Sequence, residues 1–178
     1  MAASYYSVDV TRLTWVALAA AVVLSGTIAK YSISQSGWGE NVAKLTGFPL
    51  YVVGWILVAV ALAKGKPDET TKQAAIWICS AVIAVTALIA VTYMSEGKAP
   101  PLAYPILFGL AWLLLGWLAG NSVLGSVAGL LGAAAVVFST VFLMPLQRSY
   151  GVVDGPGMPL LVVGWVLVVF AHSIVGST

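Results

Sequence analysis

Charge is what this chain has least of. Of its 178 residues, eight are Lys or Arg and six are Asp or Glu, 8% in all. A soluble domain carries about a quarter charged residues, because its surface must face water. So few ionisable groups cannot coat a globule of this length. The net charge of +2 is too small and too dispersed for a nucleic-acid partner. A single cysteine, Cys79, excludes an internal disulfide framework and a thiolate metal cluster. In its apolar run it reads as a small buried hydrophobe.

Chemistry-bearing motifs are equally scarce. The one histidine, His172, lies near the end of the last apolar run, where a packing or backbone-bonding role is expected. A zinc or haem site would need further ligands inside the spans, and the spans hold none. The sequence contains no Gly-x-Ser-x-Gly, His-Glu-x-x-His, Cys-x-x-Cys or phosphate-binding glycine loop. Ser25, Thr27, Ser80, Thr86, Ser139 and Thr140 are apolar-run residues with no base beside them, hence poor nucleophiles. We therefore expect no enzyme, no catalytic residue, no cofactor and no metal.

What the chain has instead is apolar length. It is 61% hydrophobic, with a mean hydropathy of +1.01. Charge-free runs cover Leu13–Ala29, Leu45–Ala63, Gln73–Ser95, Ala99–Gln147 and Gly155–Thr178. A crossing needs about 20 apolar residues, so the fourth run must hold two helices and a turn. Gly120-Asn121-Ser122 is its best turn, since Gly and Asn tolerate a tight reversal. The expectation is an all-α polytopic membrane protein, one transmembrane domain of six helices at 13–33, 47–64, 73–94, 103–119, 122–145 and 157–175. Residues 1–29 also mimic a signal peptide, but read here as a retained first span. Residues 34–44 are expected as the longest polar loop, and Tyr5 and Tyr6 as an interfacial lead.

Six crossings place both termini on one side. Arg12, Lys64, Lys66 and Lys72 flank that side, and Lys30, Lys44, Lys98 and Arg148 the other, so the positive-inside bias is a tie. The lysines around Pro67 favour cytoplasmic termini.

One segment is written twice. Gly47-Phe-Pro49-Leu-Tyr-Val-Val-Gly54-Trp55-Ile-Leu-Val58 recurs as Gly157-Met-Pro159-Leu-Leu-Val-Val-Gly164-Trp165-Val-Leu-Val168. Upstream, Ala20-Ala-Val-Val-Leu-Ser25 matches Ala134-Ala-Val-Val-Phe-Ser139. An internal repeat constrains architecture. Here it predicts three helical hairpins, the first and third related in parallel by an axis along the membrane normal. The middle hairpin is a degenerate third copy, with Pro105 opening span four and Trp112 one place late.

The candidate functional residues are accordingly packing residues. Pro49 and Pro159 are expected in the first turn of their helices, where the missing N–H costs nothing. Trp55 and Trp165 lie too deep for an aromatic belt and should fill space between helices, while Gly54 and Gly164 admit a neighbouring backbone. Gly116-x-x-x-Gly120, then Gly125, Gly129 and Gly132, and Ala17, Ala21 and Ser25, form small-residue stripes for close helix contact, within the chain or between copies. The function expected is a structural or assembly subunit in the lipid bilayer, as a homo-oligomer or with membrane-complex partners. The alternative is a passive channel or permease for a small neutral solute or lipid, with Ser25, Thr27, Ser139 and Thr140 lining its path.

Overall fold

The computed structural model describes residues 6–35, 40–66, 68–95, 98–149 and 155–176. Helices α1 (Val10–Gln35), α2 (Glu40–Lys64), α3 (Thr70–Ser95) and α4 (Ala103–Ala119) come first. α5 (Val123–Val137) continues through a π-helical stretch, Phe138–Leu143, into α6 (Met144–Ser149), and α7 (Gly157–Ser173) closes the series. Two three-residue strands, β1 (Tyr6–Val8) and β2 (Ile174–Gly176), pair antiparallel with Ser7 opposite Val175. Among the described residues the secondary structure is thus helical but for this clasp and an isolated bridge between Asn121 and Val175. Four helical segments, Val10–Thr27, Gly47–Lys64, Thr70–Tyr93 and Val123–Leu146, are long and apolar enough to cross a membrane. The two remaining apolar helices, α4 and α7, have 17 residues each.

Each helix packs on its chain neighbour, and α1 closes the circuit against α7. The partners run antiparallel. Along α1 and α2, Val23 faces Gly54 and Gly26 faces Tyr51 and Gly47, so one number falls as the other rises. Along α5 and α7, Gly125 faces Ala171, Gly132 faces Gly164 and Ser139 faces Gly157. α4 and α5 meet through Gly120 on Ser126 and Gly116 on Gly129. Each apolar helix carries large hydrophobic residues on its outer face as well as inside, among them Trp15, Ile56, Ile78, Leu110, Leu131 and Val166. Water would not tolerate so continuous an apolar surface, and the fold is compatible with a membrane protein.

Three local expectations are corrected. Glu40 rather than Gly47 starts α2, so Pro49 lies in the helix interior and not in its first turn. Charge-free runs mark where apolar residues end, and the polar Glu40–Lys44 turn is helical beyond that point. The expected loop at 34–44 shrinks for the same reason, with α1 reaching Gln35. Pro159, by contrast, is the third residue of α7, and Pro105 the third of α4. The last helix ends at Ser173, two residues early, because β2 takes Ile174 onward into the clasp. Tyr5 lies outside the described residues.

Two features have direct sequence causes. Ser122 caps α5, its hydroxyl accepting from Gly125 N at 3.1 Å. Pro145 has no N–H to donate and crowds the preceding turn. The wide turn just before it relieves that crowding, with Met144 N–H reaching back five residues to Ser139 O.

Among the tightest contacts is Gly116 against Gly129. A Cβ on either glycine would strike the other's carbonyl oxygen, so α4 and α5 touch backbone to backbone. Gly109, on the same helix, has only a Val137 methyl at 3.5 Å. Gly129→Ala should therefore lower thermal stability in detergent by ~1–3 kcal/mol, the usual cost of overpacking. Gly109→Ala should be neutral or stabilising by up to ~1 kcal/mol, the helix propensity of Ala over Gly. Equal shifts for the two variants would contradict the contact.

Candidate functional site

Two clusters stand out, one apolar at the centre of the bundle and one polar at the end that carries the clasp. The central cluster is three tryptophans. Trp55 of α2, Trp112 of α4 and Trp165 of α7 are all buried, with ring centroids 5.4, 5.5 and 4.9 Å apart. Trp112 stands edge-on to both others, the arrangement favoured by aromatic quadrupoles. Phe108 and Tyr51 extend the cluster along α4 and α2. Trp112 follows Pro105 by seven residues, where Trp55 and Trp165 follow their prolines by six. That shift is about 1.5 Å of depth and 100° of rotation, and turning α4 about its own axis absorbs the angle. The Trp112 indole N–H has no acceptor among the described residues.

Around this core the sequence-derived packing residues fall on helix contacts. Gly54 lies against Val23 of α1, Gly164 against Gly132 and Val136 of α5, and Gly125 against Ala171 of α7. Gly120 meets Ser126 at the α4–α5 turn. The stripes of α4 and α5 are therefore occupied inside the chain. The stripe of α1 is not: Ala17, Ala21 and Ser25 are exposed on the outer face.

The polar residues of the apolar helices do not converge on a path. Thr27, Thr86 and Thr140 donate to the carbonyls four residues back, at 2.9, 2.6 and 2.8 Å. Ser139 donates across to the Gly157 carbonyl at 2.5 Å. Ser25, matched with Ser139 in the sequence repeat, does not share its buried position. Gly26 occupies the inward position, its Cα directed at the Gly47 carbonyl, and Ser25 points out. One residue of helix rotation, about 100°, makes the difference.

The polar cluster ties four segments together. His172 is fully buried and its Nδ1–H donates to Ala119 O at 2.9 Å, which fixes the tautomer. Its Nε2 faces the Gly65 backbone with no partner among the described residues. Asn121 Nδ2 donates to His172 O at 2.5 Å, and Lys66 Nζ donates to Gly120 O at 2.5 Å. Gln73 Nε2 returns to Lys66 O at 2.6 Å. Asp9 caps α1 through Thr11 N and Arg12 N, and its own N–H donates to Ser173 O at 2.9 Å. Lys66 appears in the sequence as one more loop cation; here it is only 6% exposed. The flanking Gly65 and Pro67 signal a turn but not that the ammonium turns inward.

Among the described residues no three His, Cys, Asp or Glu side chains converge as metal ligands. No protein-family description, curated protein or solved structure matches the chain.

Burial, and then Lys72, push the Lys66 ammonium below the usual lysine range, against a smaller opposing pull from Glu69. The sign follows from linkage. The unfolded chain holds that proton more tightly, so stability rises as pH climbs from the folded value towards the unfolded one near 10.4. Lys66→Met should flatten the rise. Unfolding midpoints in detergent from neutral to alkaline pH test this, and parallel curves for wild type and variant would refute it.

Proposed function

We propose that the chain is a non-enzymatic integral membrane protein whose six helices all cross the bilayer, serving as a structural or assembly subunit of a membrane, an envelope or a larger complex. α4 and α7 reach roughly 25 Å at 1.5 Å per residue, short of the full hydrocarbon core of ~30 Å but within the range that spans with local thinning. Three antiparallel hairpins then stand side by side. The β1–β2 clasp, Lys66 and the 120–122 turn share one face, favoured as cytoplasmic by the lysines around Pro67 in the sequence.

The parallel repeat is supported by matched contacts. Gly54 on Val23 corresponds to Gly164 on Val136, and Gly47 on Gly26 corresponds to Gly157 on Ser139. Both pairs place α1 and α5 in the same relation, one residue away from the literal sequence match. That single register change also explains why Ser25 and Phe138 both face outward. The tryptophan triad, with one ring from each hairpin, supports the middle hairpin as the third copy.

One observation carries the assembly reading. The small-residue stripes of α4 and α5 are filled from within, whereas Ala17, Ala21 and Ser25 of α1 face outward beside the exposed Leu18. Where lipid removes the hydrophobic drive between helices, such a stripe favours close contact with a second copy. The core argues against the channel alternative, since a pore for polar solutes needs hydrogen-bonding groups along a continuous path. Here three of the four candidate hydroxyls are bonded to backbone carbonyls and the fourth faces out.

Native mass measurement in lipid nanodiscs tests the proposal. Wild type should be a homo-oligomer, and Ala21→Leu should shift it towards the protomer while Gly109→Ala leaves it unchanged. A wild-type protomer across nanodiscs and mild detergents, or an oligomer indifferent to Ala21→Leu, would overturn it.

A further inference from the structure

The C-terminal end of α2 and the N-terminal end of α3 flank a groove of about 370 Å³ lined by Val60, Ala63, Lys64, Gln73 and Trp77. Its volume falls at the lower end of ordinary ligand clefts, about 300–1,000 Å³. Its position follows from the chain: the apolar window of α2 ends at Lys64 and that of α3 begins at Thr70. The groove therefore sits where hydrocarbon gives way to headgroups, a level at which tryptophan is enriched. Trp77 is 43% exposed along one wall, and Val60 and Ala63 form the apolar floor.

Charge completes the site. On this end of the bundle Arg12 Nε pairs with Asp9 at 3.1 Å, Lys72 pairs with Glu69, and Lys66 is turned inward to Gly120 O. Lys64 is exposed and, among the described residues, lacks any such partner. Asp68 lies in the connecting loop and does not line the groove. Gln73 is held in place by its bond to Lys66 O, at 2.6 Å, so the groove's polar end is fixed by the same cluster that buries Lys66.

We infer that this groove binds one anionic phospholipid, its phosphate against the Lys64 ammonium and its first acyl methylenes against Val60, Ala63 and Trp77. The chemistry selects a lipid over free phosphate, because one exposed ammonium holds an anion weakly unless an apolar tail adds its burial. The inference rests on the membrane reading above, and the experiment separates the two.

Protein is reconstituted into phosphatidylcholine nanodiscs with and without a minor fraction of phosphatidylglycerol, and lipids retained on release are counted by native mass spectrometry. Co-migration of protein with the discs reports membrane insertion independently. Wild type should keep one phosphatidylglycerol in preference to phosphatidylcholine. Lys64→Gln should reduce that preference about fivefold, the usual worth of one lysine near an anionic surface. Trp77→Leu should loosen both lipids and leave the preference intact. Lys72→Gln, which removes a paired cation, should change little. Excess inorganic phosphate should not displace the lipid. Equal retention of the two lipids by wild type, an equal loss in Lys64→Gln and Lys72→Gln, or displacement by phosphate would overturn the inference while insertion stands. Failure to enter the discs would overturn the membrane reading itself.

Discussion

Helix-to-helix contact at backbone distance is the constraint on which this structure depends. In a lipid-facing bundle the hydrophobic effect does not distinguish a helix neighbour from an acyl chain, so association rests on fit. Here the fit comes from glycines at the interfaces and large rings at the centre. Gly116 and Gly129 bring α4 and α5 together, while Gly132 and Gly164 join α5 to α7. With the backbones drawn in, Trp55, Trp112 and Trp165 fill the volume left between α2, α4 and α7. Small residues and large ones are thus two halves of one packing solution, and neither is explicable alone.

The polar cluster at the clasp end answers a different need. Helix ends leave carbonyls without partners, and three of them here are met by side chains from other segments. Ala119 O receives His172, Gly120 O receives Lys66, and His172 O receives Asn121. A buried lysine is acceptable there because its ammonium is bonded, although its burial disfavours the charged form. The β1–β2 clasp and Asp9 secure both chain ends over the same cluster. The bundle is in this way locked at one end by polar bonds and along its length by packing.

The rods themselves were legible in the sequence, because charge-free runs and the Gly120-Asn121-Ser122 turn are local signals. So was the burial of Trp55 and Trp165, since each stands beside a glycine and deep in its run. What was not legible depends on helix rotation. Ser25 and Ser139 are matched in sequence, yet one faces outward and the other the Gly157 carbonyl. Trp112, displaced by one place, reaches the triad all the same. Helices apolar on every side give no amphipathic phase from which to read rotation. Pro49 was misplaced for a related reason: apolar runs locate a membrane, not the end of a helix. The backbone bond of His172 was expected, but Lys66 turns inward to Gly120 O only through tertiary contact, and nothing in its neighbourhood announces it.

The central claim is that one ring from each of α2, α4 and α7 meets at the centre of the bundle. Exciton coupling between indoles in the far-ultraviolet circular dichroism spectrum reports that contact directly. The account predicts a couplet in the wild type that weakens when any one of Trp55, Trp112 or Trp165 is replaced by Phe and is lost when two of them are, and that survives Trp117→Phe, whose ring is half exposed at the surface. A couplet untouched by those three substitutions, or no couplet in the folded wild type, would contradict it.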